Sequence, residues 1–267
     1  MGGKMRVMTF NLRFENDKDG ANDWESRRRM VVNLINDHAP DILGTQEGKW
    51  SQLSYLQEML PDYDAFMPDR VYDSKIQCPT LFVQKKRFEI LEGRDIWLSE
   101  TPEVHLSKSW DSAFPRMMSY CLMIDRTSGN KFHAGVTHLD HVGVEARRNQ
   151  AKIIACWAKS LKKEPKIVMG DFNEEPGSDV HRILTAPETR LLDTWEVLEK
   201  PEDETAFTHH GFTGTPQLAR LDWILASGFD VLDAGIVRDQ KGGNYPSDHF
   251  PYMVDLAPSN KQNFQAI

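Results

Sequence analysis

The chain has 267 residues, a net charge of −8, and 40% hydrophobic and 27% charged residues. That profile fits a soluble globular protein with a sizeable core and excludes fibrous, disordered and disulfide-dense classes. The acidity argues against a non-specific nucleic-acid binder, which needs a basic footprint, and no window approaches the apolar length that crosses a bilayer.

The three cysteines, Cys78, Cys121 and Cys156, lie far apart and allow neither a disulfide framework nor a Cys-x-x-Cys site. Reduced, buried thiols and a reducing, cytoplasmic setting are expected. The first residues are too short and polar for a secretory signal. Gly2 does not make a myristoylation site, because Arg6 stands where Ser or Thr is required.

Residues 6–12 alternate and read as a first strand ending at Asn11. An acidic loop follows. It fails as an EF-hand, because Gly20 at the turn position would put Glu15 first and Ser26 last. It is read as solvent-facing or substrate-facing. Asp23 caps a helix to about Asp37, with Met30, Val31, Leu34 and Ile35 on its apolar face. Residues 41–47 form a strand closing on Glu47, and 51–60 a second amphipathic helix.

After Pro61, short strands at 80–84, 88–91, 96–98, 118–125 and 132–138 suggest an antiparallel meander, with a long loop over 99–116. A helix over 144–161 leads to an apolar strand at 166–169, which turns at Gly170-Asp171-Phe172-Asn173. Ser178 caps a short helix to Leu184, and strands follow at 221–225, 231–237 and 251–256. The last eleven residues read as frayed. With no repeat, low-complexity stretch or linker, residues 1–267 read as one domain, with a sheet-on-sheet core and outer helices.

Several strands end in a polar residue that is costly to bury alone: Asn11, Glu47, His138, Asp171 with Asn173, Asp222, and Asp248 with His249. On a shared rim they make an oxygen-rich set suited to a hard divalent cation, Mg²⁺ or Mn²⁺. Each has a plainer alternative. Asp171 can be an Asx turn, Glu47 a surface acid, Asp222 the ion-pair partner of Arg220, and Asp248-His249 a turn capped by Ser247. A zinc site of His133, His138 and His141 is disfavoured, since His133 and His138 are an odd number of residues apart and face opposite sides of a strand. No G-x-S-x-G, G-x-x-x-x-G-K, H-E-x-x-H or G-x-G-x-x-G motif is present.

Six motifs, in order along nearly the whole chain, carry a resemblance. They are Thr9-Phe10-Asn11-Leu12, Thr45-Gln46-Glu47, Thr137-His138-Leu139, Gly170-Asp171-Phe172-Asn173, Arg220-Leu221-Asp222-Trp223-Ile224 and Ser247-Asp248-His249. The pattern resembles the endonuclease/exonuclease/phosphatase superfamily, with its deoxyribonuclease I-like fold. That resemblance implies an α/β (α+β) four-layered α/β/β/α sandwich and a metal-dependent phosphoester hydrolase.

It implies Glu47 as principal metal ligand, with Asn11 and Asp248 in support. Asp171 resembles the group that orients and deprotonates the attacking water. His138 and Asn173 resemble binders of phosphate oxygen, and Asp222 the partner orienting His249, which contacts phosphate or balances charge. Arg116 occupies a place where some members carry a phosphate-binding basic residue.

For substrate, a small phosphomonoester or phosphodiester leads, with DNA or RNA as the alternative. The clusters Arg27-Arg28-Arg29 and Arg147-Arg148 read as solvated helix faces or as a nucleic-acid patch. Trp24, Trp50 and Trp110 read as core packing or as a pocket for a base or sugar. A binding module that kept the fold and lost the chemistry would show gaps in the polar set, and none is found. A monomer is expected.

Overall fold

Alternation along the first strand sets up the layers. In the computed structural model, which describes residues 3–68, 70–74 and 76–259, β1 (Met5–Asn11) is buried on both faces. Met5 and Val7 enter a core shared with the second sheet, and Met8 and Phe10 enter a core shared with helices. A strand that is apolar on both faces belongs in the middle of a layered structure.

The first sheet runs β11-β12-β1-β2-β4-β3. Its members are β2 (Ile42–Gln46), β3 (Tyr63–Phe66), β4 (Thr80–Gln84), β11 (Phe229–Ile236) and β12 (Tyr252–Pro258). The second runs β5-β6-β7-β8-β10-β9. It comprises β5 (Phe88–Trp97), β6 (Met117–Asp125), β7 (Lys131–His138), β8 (Lys166–Asp171), β9 (Leu192–Asp193) and β10 (Asp222–Ser227). The inner faces meet through residues such as Val7, Ile42, Val136, Ile167 and Met169. Helices α1 (Trp24–His38) and α2 (Trp50–Met59) cover the outer face of the first sheet. Helices α3 (Val144–Ser160) and α4 (Asp179–Leu184) cover the second, and α5 (Thr194–Val197) is a single turn. The result is the α/β/β/α sandwich expected from the resemblance.

Both sheets repeat one wiring pattern. Antiparallel, parallel and antiparallel joins link β12, β1, β2 and β4, and the same joins link β6, β7, β8 and β10. The parallel pairs β1/β2 and β7/β8 are spanned by α1 and α3. A parallel crossover brings two C-terminal strand ends side by side, and those ends carry the candidate site.

Several elements depart from the sequence reading. The expected strands at 88–91 and 96–98 are one strand, β5, interrupted by a bulge between Ile90 and Glu92. The bulge throws Leu91 to Arg94 into solvent and erases the alternation. Only β5, β6 and β7 form a meander, because β4 pairs with β2 and the unexpected β3. Short β9 and α5 were not expected either. Fraying was expected from residue 257, yet Ala257 and Pro258 close β12. Residues 260–267 and the first two residues lie outside the described residues, with the readings placed on them. The acidic loop holds a 3-10 turn (Asp17–Asn22). Of the thiols, Cys121 is buried, Cys78 half-buried and Cys156 exposed, so burial holds for one alone.

Candidate active site

Strand register builds the site. His138 pairs with Asp171 across the parallel join of β7 and β8, and Asp171 pairs with Asp222 across β8 and β10. The three therefore form one cross-strand row at the end of the second sheet. In the first sheet Asn11 pairs with Gln46, which places Glu47 one residue beyond the rim. Gly170 lets β8 run close beside β7, since a Cβ there would sit 2.1 Å from the Thr137 carbonyl oxygen. Glu47 and Asn173 then turn with φ of 63° and 51°. Non-glycine residues adopt that conformation at a cost, often where a side chain must be aimed.

Asn11 joins the sheets. Its Nδ2 donates to Asp171 Oδ2 at 2.9 Å and to Glu47 Oε1 at 3.2 Å. The second Glu47 oxygen accepts the Phe14 N–H at 2.9 Å. Asn11 Oδ1 accepts the Arg13 N–H at 2.9 Å, and its carbonyl accepts the Ser247 hydroxyl at 2.6 Å. Arg13 Nε lies 3.7 Å from Asp248 Oδ2 and is shared with Asp19 at 2.9 Å. The Asx turn is also present: Asn173 N donates to Asp171 Oδ1 at 2.9 Å. It leaves Oδ2 turned to the other donors, so the turn does not use up the carboxylate.

His249 Nδ1 meets Asp222 Oδ2 at 2.8 Å, and its Nε2 lies 3.9 Å from Asp171 Oδ2. Burial opposes its charge, but Asp222, then Asp171 and Asp248, overcome that and raise its pKa to about 10. Burial, reinforced by Asp222, raises Asp171 to about 7. His138 goes the other way: burial and the adjacent Arg116 hold it neutral. Arg116 Nη1 donates to His138 Nδ1 at 3.1 Å, which fixes the tautomer with the proton on Nε2. That nitrogen lies 3.5 Å from Asp171 Oδ2. Arg116 also donates to His141 Nδ1 at 3.1 Å, and its Nε lies 3.6 Å from Asp140 Oδ2.

Glu47, Arg116, His138, Asp171, Asn173, Asp248 and His249 line one cleft of about 1030 Å³, with Asn11 and Asp222 supporting it through the bonds above. All nine expected site residues are thus gathered at one rim. Glu47 and Asp248 bring carboxylate oxygens, the donors a hard cation prefers, to this cleft, and Asn11 holds Glu47 through its Nδ2. Another cluster, Asp171, Asp222 and His249, has ligand atoms within 4.8 Å of one another, but His249 already serves Asp222 as counter-ion.

Of the plainer alternatives, the Asx turn at Asp171 and the Ser247 cap on the His249 N–H are both present, whereas the Asp222 ion pair and the zinc set are not. Arg220 pairs with Asp193 and Glu202, not Asp222. His133 bonds Glu164 at the other end of β7, away from His138. The arginine patches dissolve in part: Arg27 and Arg147 are buried. Arg27 donates to the carbonyls of Asn22, Leu12, Arg13 and Pro246, and Arg147 to Glu174 and the Asp140 carbonyl. None of Trp24, Trp50 and Trp110 lines the cleft, and Trp24 is in the core.

The sequence reading missed Asp140, Arg13 and His209. Asp140 accepts the N–H groups of Ala113, Phe114, Val142 and Gly143 and so ties the loop before β6 to the site. Its proximity to His138 was the available signal. His209 lines the cleft edge-on to His249, ring centres 5.1 Å apart, through bridges to His249 and Gln217. Nothing local marks it.

A two-sheet sandwich with acids, amides and imidazoles on one rim is the architecture of a phosphoester hydrolase of deoxyribonuclease I-like fold. The model of the endonuclease/exonuclease/phosphatase family matches residues 8–249, and the chain belongs to that family. An endonuclease/exonuclease/phosphatase from Bacteroides vulgatus has a similar structure, with TM-score 0.88 and 30% identity, covering 96% of this chain and 100% of that one. A mannosyl-6-phosphatase of Bacteroides thetaiotaomicron is similar at TM-score 0.85 and 30% identity, covering 95% and 99%. Human nocturnin is 22% identical over 95% of this chain, which spans 65% of nocturnin's length. Among the described residues no helix is long and apolar enough to cross a membrane.

Proposed function

We propose that this chain is a divalent-metal-dependent hydrolase of a small phosphoester, with a water activated by Asp171. The observation that carries this is the convergence on Asp171 Oδ2: Asn11 Nδ2 at 2.9 Å, His138 Nε2 at 3.5 Å and His249 Nε2 at 3.9 Å. One carboxylate oxygen on the cleft floor is surrounded by three donors, from both sheets. Such a carboxylate takes a proton from a water held within hydrogen-bond reach.

Glu47 and Asp248, with Asn11, fit Mg²⁺ or Mn²⁺. The bound ion would neutralise phosphate charge and stabilise the leaving oxygen. Neutral His138 offers its Nε2 proton to a phosphate oxygen. His249, charged through Asp222, offers another, and Asn173 Nδ2, now on the Leu139 carbonyl at 2.9 Å, is placed to do the same. Arg116 orients His138 and adds positive charge.

A small phosphomonoester is favoured over DNA or RNA for two reasons. Arg27 and Arg147 are consumed inside the fold, and Glu174 and Glu175 join the cleft wall. The similarity to a mannosyl-6-phosphatase makes a sugar phosphate the first candidate. We further read the chain as a single-domain monomer and, from its three free cysteines, as a protein of a reducing, cytoplasmic compartment.

The test is a Mg²⁺-supplemented screen of sugar phosphates, simple phosphodiesters and single- and double-stranded DNA and RNA. Hydrolysis of sugar phosphates, lost on chelation, is expected. Activity on nucleic acid alone, falling steeply with salt, would replace this reading with the nuclease alternative.

A further inference from the structure

The long loop before β6 sends one aromatic ring into the active-site cleft. Phe114 lines that cleft beside Arg116, His138 and His141, and it is 56% exposed. A lone exposed phenylalanine is ordinary on a protein surface, but this one is held in place. Asp140 Oδ2 accepts its N–H at 3.2 Å and that of Ala113 at 3.0 Å, and its carbonyl accepts the Ser112 hydroxyl at 2.7 Å. The ring stacks on the His141 imidazole, with centres 5.8 Å apart and planes 16° from parallel. Stacking uses one face of the ring, and more than half of the residue stays open. His141 in turn accepts from Arg116 Nη2 at 3.1 Å, and Nη1 of the same guanidinium holds His138 at 3.1 Å. One guanidinium therefore sets the spacing between the ring and the imidazole offered to phosphate. An apolar face fixed so near the phosphate site is placed for the group that carries the phosphate.

A carboxylate is anchored from the same residue. The Asp140 carbonyl accepts Arg147 Nη1 at 3.0 Å, and Arg147 Nε holds Glu174 Oε1 at 2.8 Å. Glu174 also lines the cleft. Arg147 balances its charge, so it does not repel a phosphoester as a lone acid would. The bond from Arg147 still leaves acceptor sites open on the carboxylate. A fixed ring face takes C–H groups, and a fixed carboxylate takes hydroxyl protons. A hexose offers both, with a C–H face and hydroxyls around its edge. Glycerol phosphate offers hydroxyls without a ring face.

We propose that Phe114, mounted on His141, and Glu174, mounted on Arg147, form a sugar-binding wall of the active-site cleft. Phe114 takes the C–H face of a hexose ring and Glu174 its hydroxyls, so the site selects cyclic sugar phosphates over acyclic phosphoesters. This specificity rests on the phosphoester-hydrolase reading above.

The test compares the 6-phosphates of glucose, mannose and galactose with glycerol phosphate in the presence of Mg²⁺. The same compounds are titrated by calorimetry into the wild type and into Asp171→Asn. For the best hexose the wild type should show kcat/KM about tenfold above glycerol phosphate, carried by KM, the scale of one ring contact. Phe114→Ala should cut that preference to about threefold or less, and Phe114→Trp should keep it. Among monodeoxy analogues of the best hexose phosphate, at least one should bind the wild type more weakly, and Glu174→Gln should erase the difference. Equal kcat/KM for hexose and glycerol phosphates in the wild type, a preference that survives Phe114→Ala, or indifference to every missing hydroxyl would overturn the proposal. So would a nucleoside monophosphate preferred over every hexose in a Phe114-dependent way. Ring-selective, Phe114-dependent binding by a protein that hydrolyses no phosphoester would uphold the wall and overturn the hydrolase reading instead.

Discussion

Asp222 Oδ2 and His249 Nδ1 lie 2.8 Å apart, and both side chains are buried. The pair links β10 to the segment just before β12 and keeps a charged imidazole beside Asp171. Asp222→Asn keeps the shape and removes the counter-charge. Turnover should fall by about 10²–10³, the scale for loss of one charge-stabilising donor. Steady-state kinetics with a parallel thermal melt checks it, and a kcat within threefold of wild type in a folded variant would sink the assignment.

Asp171 and Glu47 should separate by readout. Asp171→Asn should lower kcat by about 10²–10⁴, as expected for a lost general base, and leave Mg²⁺ binding measurable by calorimetry. Glu47→Ala should lose both, since its carboxylate heads the oxygen set. Normal rates in either variant, with metal content verified, would refute the roles proposed for them.

Asp140 supplies a pH dependence separate from that of Asp171. Burial pushes its carboxyl up, but the N–H groups of Gly143, Val142, Ala113 and Phe114 prevail and hold it down to about 2. An unfolded Asp titrates near 3.9, so this stabilisation is complete above about pH 4 and drains away as pH falls towards 2. It is worth about 2 kcal/mol. Asp140→Asn should unfold at lower urea concentration at pH 7, and the gap from wild type should narrow between about pH 4 and pH 2. A gap independent of pH would contradict this.

Gly170→Ala should be more damaging than its size suggests. The added methyl lands 2.1 Å from the Thr137 carbonyl oxygen, within the β7/β8 join that carries His138 and Asp171. Overpacking of this kind costs roughly 1–3 kcal/mol or more, and prising the strands apart misplaces the row. Calorimetry should show a melting temperature lower by several degrees, and kcat should fall too.

Arg27 is a strut. Its guanidinium ties α1 to the carbonyls of Leu12, Arg13 and Pro246, which flank Asn11 and Ser247. Arg27→Lys should fail to restore stability, because one ammonium cannot reproduce the planar fork. Denaturant unfolding should show Arg27→Lys and Arg27→Met both well below wild type, and a wild-type midpoint for the lysine variant would count against the strut.

What was legible in the sequence was what depends on neighbours along the chain. The alternation of residues 6–12, the cap at Asp23, the apolar run before Gly170 and the polar strand ends are local signals, and they led to the layers and to the row of His138, Asp171 and Asp222. Arg27 and Arg147 looked like surface charge because the carbonyls that bury them come from distant loops. Strand β5 looked like two because its bulge and exposed edge leave no period to read. His209 enters the cleft through a bridge to a residue forty positions later. No window of sequence contains either relationship.

The repeated wiring of the two sheets has a mechanical consequence. Asn11 and Glu47 ride on one sheet, and His138, Asp171 and Asp222 ride on the other. Slippage of one slab over its twin would tear the constellation along its midline while every strand stayed intact. Catalysis in this molecule is then a gauge of how the slabs are seated, and it should fade under mild loosening, such as Met169→Ala between them, before circular dichroism registers any loss of structure.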